Sequence, residues 1–386
     1  MLLFLLIMEI TVLCKVVDNF GDIGVVWRMC RRFLEIDKAL CVNLITDNLD
    51  AFSKICDSVD SSCDIQKFFG VNVWNWNAEK ICEEEFYKND GEKLSLILEC
   101  FQCGRPEWME EILFEKKLER TVHILMIDYL TAEKYAEDFH CLMSLTRSAK
   151  VQKVNFMPGF TEKTGGLIIE DEWAAVPAFN PKGDILVFTY ENNLLPLSIA
   201  LKKCSMSEKK VLLAQGRGRN AFVEAWTKVN NLSLNRDCCA DKLLELPYLN
   251  QTDWDELMKK CSVLVIRGEE SLSRACLSGI PFIWNAYPQS DEYQLIKVEA
   301  LLARMERHFI AEDFSIVKKA WILFNTPLSD SKDNSEQALE SAFCDFFKAS
   351  YRLAPSFYDF ALSLRKNGDL CSNIMTFIKK KCIIQK

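Results

Sequence analysis

The sequence contains little glycine and proline and very little histidine. Its 386 residues include 14 Gly, 10 Pro and three His. Long low-complexity tracts are therefore not expected, and a histidine-based metal site would have few ligands. The chain also lacks an excess of positive charge, because 47 Lys and Arg stand against 55 Asp and Glu and give a net charge of −8. This charge disfavours binding to a nucleic-acid backbone or an anionic membrane.

The apolar run at the N-terminus, Met1–Ile7, does not fit a membrane or export signal. It is too short to span a bilayer, and it has neither the basic flank nor the small-residue cleavage site of a signal peptide. At the other end Cys382 is fifth from the terminus, whereas prenylation needs the cysteine fourth. The sequence therefore predicts a cytoplasmic protein without a membrane anchor.

Cysteine, in contrast, is abundant, with 17 in the chain. The cysteines are scattered through a chain long enough to form a real core, which is typical of reduced, buried thiols and not of a disulfide scaffold. Cys100 and Cys103 have the spacing of a redox or metal motif, but no second such pair follows. We therefore predict no bound metal and no cofactor.

The spacing of short apolar runs predicts two α/β domains, as the length of the chain also suggests. Parallel strands covered by helices on both faces appear as such runs, separated by helical patterns. In the first half the predicted strands are Glu9–Val16, Cys41–Thr46, Val71–Trp76, Leu94–Glu99 and Val122–Asp128. In the second half they are Ile185–Tyr190, Lys210–Ala214, Lys242–Leu246, Val263–Ile266 and Phe282–Trp284.

Residues 151–183 interrupt this alternation with glycine and proline, which places a connection there. The prediction is an N-terminal Rossmann-like domain over 8–155, a connection over 156–183 and a C-terminal Rossmann-like domain over 184–345. Helices over 346–386 would pack back towards the first domain. Two such domains would leave a cleft between the C-terminal edges of their sheets, where ligands bind in these folds.

The segment Lys15–Gly24, at the predicted junction of the first strand and helix, has the first residues suited to chemistry. Asp18 and Asp22 flank a turn in which Gly21 and Gly24 can take left-handed backbone angles. Two carboxylates at a cleft could supply a general base and an electrostatic anchor. The structural alternative is an Asx turn at Asp18 and a helix cap at Asp22. The spacing alone leaves both interpretations open.

The second such segment begins at Arg267. This arginine directly follows a predicted strand and is itself followed by Gly268. A helix beginning near Ser271 would offer its backbone N–H groups and the positive end of its dipole to a phosphate. Arg267 and the Tyr287 hydroxyl could add charge and hydrogen bonds. The structural alternative is an ordinary capped helix with Glu269–Glu270 in its first turn. The order of these elements looks like the donor half of GT-B glycosyltransferases, which use nucleotide sugars.

Together, the segments resemble one family, the EarP protein-arginine rhamnosyltransferases of bacterial elongation factor P. The resemblance spans most of residues 8–300 and is carried by Cys14–Arg28, Phe156–Leu167, Leu246–Gln251, Arg267–Ser271 and Trp284–Gln289. It implies an α/β GT-B fold with two facing Rossmann-like domains. It also implies an inverting enzyme that transfers L-rhamnose from dTDP-β-L-rhamnose to an arginine of elongation factor P. That modification would activate the factor for rescue of polyproline-stalled ribosomes.

The resemblance also assigns roles to individual residues. Asp22 takes the position of the general base, Asp18 that of a companion acid and Glu269 that of a donor-side acid. The implied donor-binding residues are Phe20, Gly21, Tyr190, Tyr248, Gln251, Arg267, Gly268, Glu269, Glu270, Ser271 and Tyr287. The implied partners are elongation factor P and dTDP-β-L-rhamnose, without a metal, a nucleic acid or a membrane.

Four positions depart from the family pattern. Glu270 replaces the usual aspartate, and Tyr248 replaces a phenylalanine. Asn285 replaces the usual histidine, and Cys100 replaces the usual threonine. None of these changes removes an acid that the reaction needs. The alternatives are a GT-B enzyme with another nucleotide sugar or a small-molecule acceptor, and a non-catalytic protein that binds a nucleotide sugar.

Overall fold

The computed structural model describes residues 9–17, 20–88, 94–116, 118, 121–204, 209–232, 242–327 and 332–384. The chain divides into two compact units. Unit 1 comprises Met1–Ala174 and Arg365–Lys386, and unit 2 comprises Ala175–Leu364. The chain thus enters unit 2 inside the segment 156–183, which was predicted as the connection. It returns to unit 1 within the predicted C-terminal helices 346–386.

Both units are built from short strands, most of them buried, and from helices. The strands are β1 (Glu9–Cys14), β2 (Cys41–Thr46), β3 (Ile65–Phe68), β4 (Val71–Asn75), β5 (Leu94–Cys100), β6 (Val122–Ile127), β7 (Met143–Ser144), β8 (Val151–Phe156), β9 (Ile185–Val187), β10 (Val211–Leu213), β11 (Leu243–Glu245), β12 (Val263–Arg267) and β13 (Phe282–Asn285). The helices are α1 (Gly21–Ile36), α2 (Leu49–Ser53), α3 (Glu79–Lys88), α4 (Glu107–Phe114), α5 (Tyr135–Phe139), α6 (Leu195–Lys203), α7 (Arg219–Leu232), α8 (Gln251–Lys260), α9 (Glu269–Ser278), α10 (Tyr293–Met305), α11 (Ala311–Asn325), α12 (Lys332–Arg365) and α13 (Leu370–Ile384).

The ten predicted strands are confirmed, with ends that differ from the prediction by at most three residues. Strands β3, β7 and β8 were missed. Strands β3 and β7 are the two edge strands of their sheet. Strand β3 pairs antiparallel with β4, and β7 pairs antiparallel with β8. Strand β8 occupies the start of 151–183, where the alternation was expected to stop. Its half-buried polar residues Gln152, Lys153 and Asn155 interrupt the apolar positions and weaken the apolar signal.

Unit 1 contains an eight-stranded sheet in the order β3-β4-β2-β1-β5-β6-β8-β7. Strand β1 is buried along its whole length and pairs in parallel with β2 and β5. Such a continuously buried strand is typical of a parallel sheet covered on both faces. The core on one face joins β1 to α1 and to α13, through residues such as Phe33 and Ile374. The C-terminal helix is therefore part of the core of unit 1.

Unit 2 contains a five-stranded parallel sheet in the order β11-β10-β9-β12-β13. Strands β10 and β11 are added on one side of β9, and strands β12 and β13 are then added on its other side. The carboxyl ends of β9 and β12 are thus neighbours at the point where the strand order reverses, which is where ligands bind in open α/β sheets.

Within the described part of the chain, no helix is long and apolar enough to cross a membrane.

Candidate functional site

In unit 1, the predicted catalytic segment lies where β1 ends and α1 begins. Asp22 lies in the first turn of α1 and is only 2% exposed. Its Oδ2 accepts a hydrogen bond from the Val17 N–H at 2.8 Å. The N-cap position is occupied by Phe20, which makes no side-chain capping bond, so Asp22 is not the cap of this helix. Asp18, the predicted companion acid, lies outside the described residues.

The predicted left-handed glycine turn is wrong. Gly21 is the first residue of α1, and the N–H of Gly24 donates to the Phe20 carbonyl at 3.0 Å. Neither glycine has a positive φ. Because helix α1 already begins at Gly21, both glycines take helical backbone angles.

A stacked aromatic pair lies at the same edge of this sheet, just after the carboxyl ends of the neighbouring strands β5 and β6. Phe101, directly after β5, stacks on Tyr129, just after β6, with ring centroids 4.5 Å apart and planes at 18°. Phe101 and Gln102 have φ angles of 55° and 56°, which non-glycine residues rarely adopt. Sequence reasoning missed this pair, whose only signal was an aromatic residue close after each of two predicted strands. An aromatic face suits the stacking of a guanidinium group.

Two thiols beside this edge have pKa values that are raised above the usual value for cysteine. Burial raises the pKa of Cys14, and the negative charge of Asp22 raises it further. Burial also raises the pKa of Cys103 to about 12, with Glu99 adding to the effect. Both thiols are therefore protonated near neutral pH, and thiols are neither nucleophiles nor good metal ligands in that form. Among the described residues, no group of His, Cys, Asp and Glu could hold a metal ion.

In unit 2, the centre of the predicted donor site is Arg267 at the end of β12. Its guanidinium carbon lies 4.5 Å from the ring centroid of Phe188 and 4.5 Å from that of Tyr190. The Tyr190 ring also packs edge-on against Tyr287, with centroids 5.2 Å apart. The fold thus brings Tyr190, Arg267 and Tyr287 together, and a cation between two ring faces has a fixed orientation.

The start of α9 lies directly after this arginine. Gly268 takes φ 72° and ψ 162°, a left-handed conformation that favours glycine. It provides no side-chain cap to α9. The first N–H groups of a helix without such a cap can bind an anion, and the helix dipole favours negative charge there. The helix begins at Glu269, not near Ser271 as predicted; Ser271 is buried in its first turn.

The acidic residues of this segment have partners that the sequence did not indicate. A Glu269 carboxylate oxygen lies 3.6 Å from the Lys297 Nζ of α10. Glu270 accepts a hydrogen bond from Gln251 at 3.3 Å, so two predicted donor residues contact each other. Tyr248, in contrast, is 60% exposed, and its ring presents a surface on which a ligand can pack.

Sequence reasoning missed two residues that hold Arg267 in place. Phe188 covers one face of the guanidinium. Gly216 has φ 149°, and a Cβ built on it would lie 2.9 Å from a Phe188 ring atom and 3.0 Å from the Arg267 Nη2. These contacts leave no room for a larger side chain. Their only sequence signals were an aromatic near the end of a predicted strand and a glycine just after the next strand.

The two edges offer complementary chemistry, each within its own unit. Unit 1 presents the buried carboxylate of Asp22, a group that can accept a proton. Unit 2 presents Arg267 and the start of α9, which can bind the phosphates of a nucleotide. The predicted donor residues Phe20 and Gly21 belong to the first unit, and those from Tyr190 onwards belong to the second.

Comparison with known proteins gives a consistent family match. The model of the family described as "Elongation-Factor P (EF-P) rhamnosyltransferase EarP" matches residues 10–379. A protein-arginine rhamnosyltransferase of Pseudomonas aeruginosa is 31% identical over 336 residues, which are 81% of this chain and 86% of that protein. A protein-arginine rhamnosyltransferase of Shewanella oneidensis is 29% identical over 404 residues, with 96% and 97% of the two chains covered.

Solved structures show the same fold at low sequence identity. A structure described as "Structural basis for EarP-mediated arginine glycosylation of translation elongation factor EF-P" has a TM-score of 0.57 and 19% identity, covering 96% of this chain and 99% of that one. Spinosyn rhamnosyltransferase SpnG has a TM-score of 0.51 and 10% identity, with 97% and 100% covered. The fold is that of the GT-B glycosyltransferases.

Proposed function

This chain belongs to the EarP family of elongation factor P rhamnosyltransferases, and from that premise we propose that it transfers L-rhamnose from dTDP-β-L-rhamnose to an arginine of elongation factor P, with inversion at the sugar. The observation that carries the proposal is the buried carboxylate of Asp22 at the carboxyl end of β1. An arginine acceptor requires such a group, because a guanidinium has a pKa above about 12 and is a poor nucleophile while protonated. The modified factor would then serve in the rescue of polyproline-stalled ribosomes.

On the acceptor side, Asp22 receives the proton that leaves the arginine. The Val17 N–H fixes one carboxylate oxygen of Asp22, so the group has a defined orientation before the acceptor binds. Asp18 is the companion acid that helps to hold the guanidinium. The stacked rings of Phe101 and Tyr129 follow the neighbouring strands and favour a flat cationic acceptor over a neutral one.

On the donor side, Arg267 and the start of α9 bind the diphosphate. The guanidinium of Arg267 lies against the rings of Phe188 and Tyr190, and a planar guanidinium so placed can meet a phosphate in a defined direction. Tyr287 adds its hydroxyl, and Gln251, Glu270 and exposed Tyr248 bind the nucleoside. Glu269 positions the donor while Lys297 partly neutralises its charge.

The reaction consists of one displacement. A guanidine nitrogen attacks C1 of rhamnose from the face opposite dTDP, and the bond between C1 and the diphosphate oxygen breaks as the C–N bond forms. The nitrogen loses its proton to Asp22, and the negative charge of the leaving group develops beside Arg267 and the α9 N-terminus. Fixed donors at a developing charge stabilise the transition state without reorganisation. These residues supply the charge stabilisation in this mechanism, and no metal or other cofactor is assigned a step.

Incubation with elongation factor P and dTDP-β-L-rhamnose, followed by intact-mass measurement and NMR of the product, tests the proposal. We expect a rhamnose-sized mass increase on the factor and an α-configured sugar linked to arginine. An unmodified factor, with donor and acceptor shown to be active with a known enzyme of the family, would refute the substrate assignment. A product with the β configuration would refute inversion. We place the reaction in the cytoplasm, where translation factors act, without a nucleic-acid or membrane partner.

A further inference from the structure

Three buried side-chain amides hold residues 284–289 of unit 2, the segment that carries Tyr287. Asn285, Gln294 and Asn325 are 2%, 4% and 6% exposed. A buried amide destabilises a protein unless its donors and acceptors are paired. The partners of these three side chains therefore indicate what each of them does.

Asn325, the last residue of α11, binds this segment on both sides of Asn285. Its Oδ1 accepts the N–H of Ala286 at 2.8 Å. Its Nδ2 donates to the carbonyl of Trp284 at 2.8 Å and to that of Trp321 at 2.8 Å. An asparagine side chain has one oxygen and two N–H groups, and every one of them has a partner here.

The other two amides extend the same network. The Oδ1 of Asn285 accepts the N–H of Tyr190 at 2.9 Å, which ties the end of β13 to the residues that follow β9. The Oε1 of Gln294 accepts the N–H of Gln289 at 3.0 Å, and its Nε2 donates to the Asn325 carbonyl at 3.2 Å. The backbone is thus fixed near both ends of 284–289.

These bonds determine the placement of two tyrosine rings. The Tyr190 backbone is held by Asn285, and the backbone directly before Tyr287 is held by Asn325. The two rings meet edge to face, and the Tyr190 ring covers the guanidinium of Arg267. Because ring contacts depend on distance and angle, a shift of either backbone would change the orientation of the arginine.

We propose that Asn285 and Asn325 are positioning residues of the donor site, whose buried amides fix the tyrosines around Arg267 and so determine the affinity for the diphosphate of the nucleotide. The inference rests on the proposed function, since it takes dTDP-rhamnose as the donor. Neither amide is assigned a contact with the donor: Asn285 acts through the backbone of Tyr190, and Asn325 acts through the backbone of Ala286, which directly precedes Tyr287.

The central experiment measures dTDP binding and donor kinetics for Asn325→Ala and Asn285→Leu. Each variant removes the amide acceptor while it leaves an uncharged side chain. We expect the Kd for dTDP and the KM for dTDP-rhamnose to rise about tenfold, the effect of losing a positioning hydrogen bond. The KM for elongation factor P is expected to stay unchanged. Loss of folded protein alone would instead lower the apparent kcat and leave both KM values unchanged.

Two further variants separate positioning from packing. Trp321→Phe removes a bond of the same helix, from the indole Nε1 to the Phe282 carbonyl at 2.9 Å. That bond ends on β13 outside 284–289, so the variant is expected to lose stability but to keep its donor KM. Asn285→His restores an acceptor nitrogen near the Tyr190 N–H and is expected to recover most of the donor affinity that Asn285→Leu loses.

The outcomes distinguish this inference from the proposed function. Absence of dTDP binding by the wild-type protein would refute the donor assignment and the positioning role together. A second outcome is that the wild-type protein binds dTDP and that folded Asn325→Ala and Asn285→Leu bind it with an affinity within about twofold of the wild-type value. This outcome would refute the positioning role alone. An equal rise of the donor KM in Trp321→Phe would also refute it, because the effect would then follow from any lost bond of α11.

Discussion

Replacement of Arg267 by lysine keeps the positive charge at the proposed donor site but removes the planar guanidinium. In the wild-type protein this group lies 4.5 Å from the ring centroids of both Phe188 and Tyr190. Lysine has one compact ammonium group and cannot lie flat between two rings while it donates in a fixed direction. The variant is therefore expected to bind the diphosphate less well, even though its net charge is unchanged.

The size of the effect follows from the contacts that are lost. One charge-assisted hydrogen bond contributes about 1.5–3 kcal/mol, so the affinity for dTDP should fall about 10- to 150-fold. Each ring contact contributes about 0.5–2 kcal/mol, and lysine retains part of it, so unfolding should become easier by about 1–2 kcal/mol at most. Thymidine has no phosphate, and its affinity should not change.

Calorimetric titration of Arg267→Lys with dTDP and with thymidine, together with thermal melting, measures these effects. The matched control is Arg307→Lys, because Arg307 is an exposed arginine of the same unit whose Nε donates to the neighbouring His308 and not to the segment around Arg267. A loss of dTDP affinity below about threefold, or an equal loss for thymidine, would refute a role for Arg267 at the phosphates.

Three further predictions concern other parts of the molecule. Asp22→Asn should lower kcat for rhamnose transfer about 100-fold or more without changing the Kd for dTDP; transfer within a few-fold of wild type in a rapid-quench assay would show that Asp22 is not the base. Gly216→Ala should raise the donor KM, because its Cβ would come within 3.0 Å of neighbouring side-chain atoms; steady-state kinetics of Gly104→Ala, which has φ 73° and open space, is the control for backbone strain. Burial lowers the pKa of His140 from 6.5, and its Nδ1 accepts the Met157 N–H at 3.1 Å. Since the unfolded chain takes up the proton first, melting temperatures should fall as the pH drops below about 6.5, and this fall should be smaller in His140→Gln.

Much of the fold follows from local patterns in the sequence. The run Glu9–Cys14 is apolar enough to indicate a buried strand, and β1 is buried throughout. The alternation of such runs with helical segments predicts a doubly wound sheet in each half. Element ends were less accurate: α9 begins at Glu269 because a left-handed Gly268 ends the strand and starts the helix at once.

The sequence predicted those residues of the candidate site that lie at or just after the ends of strands. Asp22 and Arg267 come just after or at the end of parallel strands, and the carboxyl ends of such strands form the binding edge of the sheet. The contacts that hold them come from distant parts of the chain. Phe188 contacts Arg267, and Asn325 bonds to Ala286. Each of these pairs is separated by more than about thirty residues, and no periodicity or spacing in the sequence encodes such a pairing.

The sequence by itself determined which candidate groups are available for chemistry, since a carboxylate, an arginine and a glycine at strand ends have the same chemical character in any arrangement of the sheet. The tertiary structure alone decided how these groups are held. Strand order sets Arg267 between two rings, and the end of α11 supplies the amide of Asn325 to residues 284–289. The physical reason is that backbone preferences act over a few residues, whereas ring stacking and buried hydrogen bonds depend on elements that become neighbours only when the sheet forms.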